Sequence, residues 1–557
     1  MMLKRKVPIV VLTAAALTLT ACAQSERESG NTGSATAAGD LKDTFTFGAA
    51  GAPELFDPFY ATDGETFRVT RQIHSGLLGV KPGTADVEPD LAEKWEPSAD
   101  GLTWTFSLKK GVKFSDGEPF NAEAVCYNFT RMFEQKGAGQ TAAEYWGYFF
   151  GGFSDKPKTS LFKSCEAKDE STAVVTITRA TSSFPTILSL DSFSMQSPKA
   201  LEAGDANNVK AAGEGFTYPA YSMNPVGIGP YKLQKYDEAN KTVTLVANES
   251  YWGEQPKTKN LVFKIIADES TRRQELEAGS IDGYDLPNPV DWKGLEDEGN
   301  KVEVRPAFNI LYMGLNPKKN AKLKDLKVRQ ALYYALNRDQ MVKTQLPEGA
   351  KVASQFIPDT VSGYNTSLKP VPYDPEKAKA LLKEAGAEGM TLQFAYPTEV
   401  SRPYMPDPQK IHDAFKKDLE AVGIKVEVVN KPWNGGYLDD VNGGKYDAWL
   451  LGWTGDYNAA DNFLGSFFKP VDSNDFQTSV MPWGKTLADD LNKADAIVDE
   501  GEREAAYQKI NQQIAEEYLP GLPISHSPPA LVTSGKVSGL VASPLTAETF
   551  DTVTVSK

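Results

Sequence analysis

Three histidines, His74, His412 and His526, are the only imidazoles in the 557-residue chain. Zinc hydrolases place two histidines one helical turn apart around a glutamate, and no such spacing occurs in this sequence. The G-x-S-x-G turn of an α/β-hydrolase nucleophile is also missing. Gly227-Ile228-Gly229-Pro230 lacks the third glycine of a dinucleotide loop, and Gly443-Gly444-Lys445 runs into Tyr446 where a phosphate-binding loop requires Ser or Thr. The adjacent acids Asp439-Asp440 and Asp489-Asp490 could do acid–base work only if two carboxyls faced one another across a substrate. In a chain with 74 acidic residues they read as solvated faces. The catalytic inventory is thin, and neither a metal nor a cofactor is expected.

Charge and the N-terminus narrow the partners. Lys plus Arg is 59 against 74 Asp plus Glu, a net of −15. Such a surface repels phosphate backbones and anionic headgroups, so nucleic acid is not expected as a partner. Lys4-Arg5-Lys6 precede an apolar run over 7–21, too short to span a bilayer comfortably, which ends in Leu19-Thr20-Ala21-Cys22. A basic start followed by a short apolar run is the layout of a secretion signal. Its end resembles the bacterial lipobox, whose cysteine takes a diacylglyceryl group before cleavage. We therefore expect a lipoprotein signal peptide over 1–21, lipidation of Cys22, and a disordered tether over 22–41, in which 23–40 hold no large apolar side chain. The body is then extracytoplasmic and meets the cell membrane through its lipid anchor only. In that disulfide-permissive compartment the remaining cysteines, Cys126 and Cys165, are expected to pair.

The elements that must position any site alternate between the strand and helix periods. A strand is predicted over 44–49, a Gly/Pro loop over 51–58, and a helix over 66–78 from the spacing of Phe67, Thr70, Ile73 and Leu77. Residues 104–108 alternate as a strand, 111–117 turn the chain, and Asn121 is a helix cap. Strands over 242–246 and 261–266, a helix over 270–278, amphipathic helices over 325–335 and 410–422, and a strand over 424–429 follow. With 24 % charged and 41 % hydrophobic residues and a mean hydropathy of −0.39, the composition is that of an ordinary globular protein. Strands alternating with helices make the class α/β.

Pro89-Asp90-Leu91-Ala92-Glu93-Lys94-Trp95, running through Gly101-Leu102-Thr103-Trp104-Thr105-Phe106 to Gly111-Val112-Lys113-Phe114-Ser115-Asp116-Gly117, closely resembles the signature of the extracellular solute-binding protein family 5. That family comprises the dipeptide- and oligopeptide-binding components of ABC importers. Gly227-Ile228-Gly229-Pro230-Tyr231, Leu276-Glu277-Ala278-Gly279-Ser280-Ile281-Asp282 and Val328-Arg329-Gln330-Ala331-Leu332 extend the resemblance along almost the whole chain after the tether. Cys126 and Cys165 are similar to the cysteine pair of actinobacterial members. The resemblance implies a periplasmic-binding-protein-like type II (class C) fold: lobe I from 42–80, 228–306 and 521–557, a subdomain inserted in it over 81–227, and lobe II from 307–520, closing on ligand about a hinge. It further implies a monomer that captures a short peptide and hands it to an ABC permease driven by its ATPase, with no catalysis of its own.

Two segments bear on specificity. Gly452-Trp453-Thr454-Gly455-Asp456-Tyr457-Asn458 resembles the stretch in which peptide-binding members set an aspartate against the ligand's α-ammonium, which gives that role to Asp456. Ser401-Arg402-Pro403-Tyr404-Met405-Pro406 resembles the stretch whose arginine meets the α-carboxylate in dipeptide binders, which gives that role to Arg402. A buried amine needs a charge-assisted acceptor, and a buried carboxylate a forked donor. Trp433, Trp453, Thr454, Gly455, Tyr404 and Tyr457 are expected in the cleft wall, and Tyr60, Thr62 and Asp63 at its lobe I border. Two rivals remain. One is the same fold holding a metal chelate, oligosaccharide, haem or opine; the other is an exported hydrolase using cleft carboxylates.

Overall fold

The computed structural model describes residues 41–557 apart from 214 and 498. The expected signal peptide, Cys22 and the tether as far as 40 lie outside the described residues, while Leu41 bridges to Ser556.

Strand alternation builds the first sheet. In Thr44–Ala49, Phe45 and Phe47 share one face and are fully buried. This strand pairs in parallel with both Asn260–Ile265 and Gly283–Asp285. The whole sheet runs Tyr231–Asp237, Thr242–Ala247, Asn260–Ile265, Thr44–Ala49, Gly283–Asp285, Ala530–Thr533 and Lys301–Val304 in spatial order. Parallel neighbours need a long connection. Here the link carries the helix Gly64–Ile73 and a subdomain with its own antiparallel sheet, Ala92–Pro97, Thr103–Leu108, Thr172–Ile177 and Phe162–Asp169.

Asp63 starts the helix Gly64–Ile73 by accepting from the Glu65 and Thr66 amides. The helix stops at Ile73 rather than at the expected 78, because two glycines pack onto its end. A Cβ at Gly227 would lie 2.2 Å from the Ile73 carbonyl oxygen, and one at Gly229 2.6 Å from the Ile73 carbonyl carbon. The Gly227-Ile228-Gly229-Pro230 run is thus a close-approach device, and Leu78 opens the next strand, Leu78–Val80.

Asn121 caps the helix Ala122–Phe133, from which Cys126 forms a disulfide with Cys165 on Phe162–Asp169, their Cα atoms 5.1 Å apart. The bridge crosses a core in which Phe129 stacks on Phe162 at 5.6 Å. Replacing both cysteines by alanine is expected to lower the unfolding free energy by about 4 kcal/mol, since the two residues are 39 apart and the unfolded chain regains that loop's freedom. A denaturant midpoint equal to that of the parent would show that the aromatic core holds the pair of elements alone.

A second sheet runs Lys351–Val352, Gly521–His526, Asn309–Leu315, Ala448–Thr454, Thr391–Thr398 and Lys425–Pro432. Its strand Asn309–Leu315 is buried at every residue, the mark of a strand covered on both faces. The helix Pro408–Ala421, capped by Asp407, makes the crossover between the parallel strands Thr391–Thr398 and Lys425–Pro432. The strand Gly521–His526 belongs to this second sheet, so the boundary expected at 521 falls later in the chain. Its residues are all buried beside Asn309–Leu315, and Pro528-Pro529 end it by removing two amide donors.

Two segments therefore cross between the sheets, 305–308 and 527–529. They are tied to one another: the Arg305 amide donates to Pro529 O at 2.8 Å, Asn309 Nδ2 to Ser527 O at 2.7 Å, and the Ser527 amide to Asn309 Oδ1 at 3.0 Å.

Candidate functional site

Loops of both sheets and of the subdomain line one cavity of about 2690 Å³. A pocket for a single drug-sized molecule is roughly 300–1,000 Å³. Along its walls carboxylates outnumber Lys and Arg more than two to one.

The strand Ala448–Thr454 delivers the first inward charge. It leaves the sheet at Gly455, whose amide donates to Phe308 O at 2.9 Å, and a Cβ on Gly455 would lie 2.3 Å from the Phe308 ring. That close approach sets Asp456 beside the crossing segment. Asn462, fully buried, holds the aspartate in place: its Oδ1 accepts from the Asp456 amide at 2.7 Å, and its Nδ2 donates to Asp456 Oδ2 at 3.1 Å. Tyr145 of the subdomain donates its hydroxyl to Asp456 Oδ1 at 3.2 Å. Among the described residues no cation pairs with Asp456. Burial pushes its carboxyl up to about 6, against the opposing pull of the Asn462 and Tyr145 hydrogen bonds.

The second charge sits on the loop after Thr391–Thr398. Arg402 and Met405 exchange backbone hydrogen bonds of 3.1 and 2.9 Å, which closes a tight turn. The Arg402 guanidinium carbon lies 4.1 Å from the Trp433 ring centroid, a cation–π geometry. Its Nε is buried without a partner, and among the described residues no carboxylate pairs with it. Tyr404 lies flat against the sheet; a Cβ on Gly452 would meet its ring at 2.4 Å.

Trp453, Thr454, Gly455, Tyr457, Thr62 and Asp63 line the same cavity as Asp456, Arg402, Trp433 and Tyr404. Their roles differ. Tyr457 is buried against Phe149 at 5.6 Å, and the Asp63 carboxylate is engaged by the helix it caps and by Thr66 Oγ1. Tyr60, expected at the border, is behind the wall: it is fully buried and donates its hydroxyl to Gln135 Oε1 at 2.8 Å. Sequence reasoning missed Asn462 and Tyr145. Asn462 lies six residues from its partner on the short helix Asp461–Gly465, and Tyr145 is 311 residues from Asp456.

The other residues singled out for chemistry are structural. His412 is buried between Phe394 and Tyr396 at 4.4 and 4.5 Å, and His526 Nδ1 donates to Asn309 O at 2.6 Å. Burial lowers the pKa of all three imidazoles, that of His526 to about 4. Asp440 takes Lys431 at 2.8 Å together with Lys445 and Tyr446, while Asp489 and Asp490 pair with Lys485 and Lys493 on an exposed helix.

A family model, bacterial extracellular solute-binding proteins, family 5 middle, matches residues 86–475. The chain is 32% identical over 521 residues to the dipeptide-binding protein of Escherichia coli (strain K12), covering 92% of this chain and 94% of that protein. It is 30% identical over 557 residues to heme-binding protein A of Haemophilus influenzae, covering 98% of each. Among solved structures, the ABC transporter-associated periplasmic binding protein of Helicobacter pylori in complex with the peptide STSA superposes with a TM-score of 0.76 at 26% identity, over 93% of this chain and 99% of that one. The fold is accordingly the type II periplasmic-binding fold.

Proposed function

The chain belongs to the bacterial extracellular solute-binding proteins of family 5, and on that footing we propose that it is the lipid-anchored binding component of an ABC importer, capturing short peptides in the cavity and delivering them to a permease. The observation that carries this reading is Asp456: a carboxylate oriented by two hydrogen bonds, desolvated, and without a cation among the described residues. A buried ion is stable only when a partner answers it. A peptide's α-ammonium is such a partner, and Arg402, also without an ion pair, is the complementary group for the α-carboxylate. The likeness to dipeptide-binding relatives supports the same assignment. Lipidation of Cys22 belongs to this proposal, as does the closing of the two lobes about 305–308 and 527–529.

Calorimetric titration of the ligand-stripped protein with di-, tri- and tetrapeptides tests the reading. Dipeptides are expected to bind, and Arg402→Ala to weaken them roughly 10- to 100-fold, as for a lost charge-assisted hydrogen bond. Tetrapeptides, whose carboxylate extends past Arg402, lose less. Equal loss at all lengths would remove Arg402 as the length gauge. No binding at any length would overturn the peptide reading.

A second reading is a haem ligand, favoured by the likeness to heme-binding protein A and by the size of the cavity. The acidic walls oppose it, because haem propionates are anionic. A visible-absorbance titration with hemin separates the two.

A further inference from the structure

The cavity contains a second unanswered carboxylate. Asp475 lies in its wall, on the loop that follows the short helix Ser466–Phe468. Its carboxylate accepts from the Asn442 amide, which in its hydrogen-bonded orientation donates to Leu438 O at 3.3 Å and to Asp475 Oδ1 at 3.1 Å. Among the described residues no Lys or Arg pairs with Asp475. Three other inward acids are engaged: Asp285 by Arg68 and Arg305, and Asp461 and Asp495 by Lys469. Burial is the sole cause that lifts the Asp475 carboxyl to about 6, consistent with no positive charge standing near it.

Position relates this acid to the proposed ammonium site. On the subdomain helix Glu144–Phe149, Tyr145 donates to Asp456, and the Tyr148 ring, 6.4 Å from that of Tyr145, lies within the electrostatic reach of Asp475. Tyr148 is 70% exposed and lines the cavity, so its ring face is open to a ligand. Tyr312, also in the wall, feels the Asp475 charge as well. An extended peptide advances about 3.3–3.6 Å per residue. One or two such steps compare with the 6.4 Å between the Tyr145 and Tyr148 rings, so a ligand whose ammonium sits on Asp456 has the length to extend a side chain along this helix toward Asp475, where a long flexible cation would meet the carboxylate and the exposed Tyr148 ring.

We propose that Asp475 makes this cavity selective for peptides with a cationic side chain at the first or second position. The proposal rests on the peptide reading and names the side-chain class within it. The geometry supplies what a lysine or arginine needs and what a neutral side chain wastes, since an uncharged ligand leaves the acid without a countercharge.

The test compares Lys-Ala and Ala-Lys with the same dipeptides carrying norleucine, which keeps the stem and removes the charge. Calorimetry is run on the wild-type protein and on Asp475→Asn. In the wild type, at least one lysine peptide is expected to bind roughly 10- to 100-fold more tightly than its norleucine counterpart. In Asp475→Asn that preference disappears, with norleucine peptides bound as before. Norleucine peptides that bind as well as lysine peptides in the wild type overturn the proposal and leave the peptide reading standing, a comparison that needs no variant to fold. A preference that survives in a folded Asp475→Asn overturns it too. Binding of neither peptide class overturns both readings.

Discussion

Dipeptide affinity is expected to fall about 30-fold or more in Asp456→Asn, because removing one member of a buried, hydrogen-bonded charge pair costs about 2–5 kcal/mol. The substitution keeps the size of the side chain and its hydrogen bond from Tyr145, while the new amide turns one donor toward Asn462 Nδ2, which itself donates to the native carboxylate. The folded, ligand-free variant is not expected to be less stable than the parent, since a carboxyl pushed up to about 6 by burial opposes folding in its ionised form. Calorimetry against a free dipeptide and its N-acetylated form checks the role: the wild type should reject the acetylated peptide, and the variant should bind both weakly. Binding of the free dipeptide by Asp456→Asn at parental affinity would assign the ammonium elsewhere.

The same group sets a pH dependence. Without ligand the carboxyl is half-protonated near 6, and a bound ammonium favours the ionised form, so protons and peptide compete. Affinity should be greatest near pH 7, fall as pH drops through 6, and fall again above about 8 as the peptide's own α-ammonium loses its proton. In the unfolded chain the same carboxyl titrates near 3.9. The ligand-free fold therefore gains stability from this group as pH falls from 6 towards 4, opposite to the trend in affinity. Affinity that stays constant from pH 7 to 5 would contradict the assignment.

How far the sequence disclosed this arrangement follows from which forces are local. Strands such as Thr44–Ala49 and helices such as Ala122–Phe133 and Pro408–Ala421 announce themselves through alternation, caps and apolar spacing, all short-range. The end of Gly64–Ile73 did not, because it is set by glycines some 150 positions later pressing on its last turn. The placement of Gly521–His526 was equally hidden: an apolar strand suits either sheet, and only its register beside Asn309–Leu315 decides. The place of Asp456 and Arg402 in the cavity wall was legible through resemblance of their flanking residues. Tyr145 was not, since an aromatic on a short helix reads as core, and only the third dimension brings its hydroxyl to Asp456. Asp475 was silent for a similar reason: an acid in a polar loop looks solvated until the fold surrounds it.

The largest effect on stability is expected at the crossing segment. Arg305 is fully buried, with Nη1 on Asp285 Oδ1 at 2.7 Å and Nε on Glu548 Oε1 at 2.6 Å, while Arg68 takes the other Asp285 oxygen. The network joins four distant pieces: the strand Gly283–Asp285, the crossing 305–308, the helix Gly64–Ile73 and the C-terminal 548 region. The arginines hold the Asp285 carboxyl far below the ordinary range, although burial alone would raise it. That stability is present above about pH 3.9, where the unfolded carboxylate is ionised, and is lost as pH falls towards the depressed folded value. Arg305→Met keeps much of the volume and removes the charge, leaving Glu548 without its cation and Asp285 with only Arg68. The expected loss is about 3–5 kcal/mol, read from the denaturant midpoint at pH 7. Because most of that loss is the uncompensated charge rather than missing contacts, adding Glu548→Gln to Arg305→Met should recover a good part of it, a non-additivity that a double-mutant cycle measures. Additive losses would mean instead that the bonds between 305–309 and 527–529 hold the crossing, and that the charges only occupy the space between them.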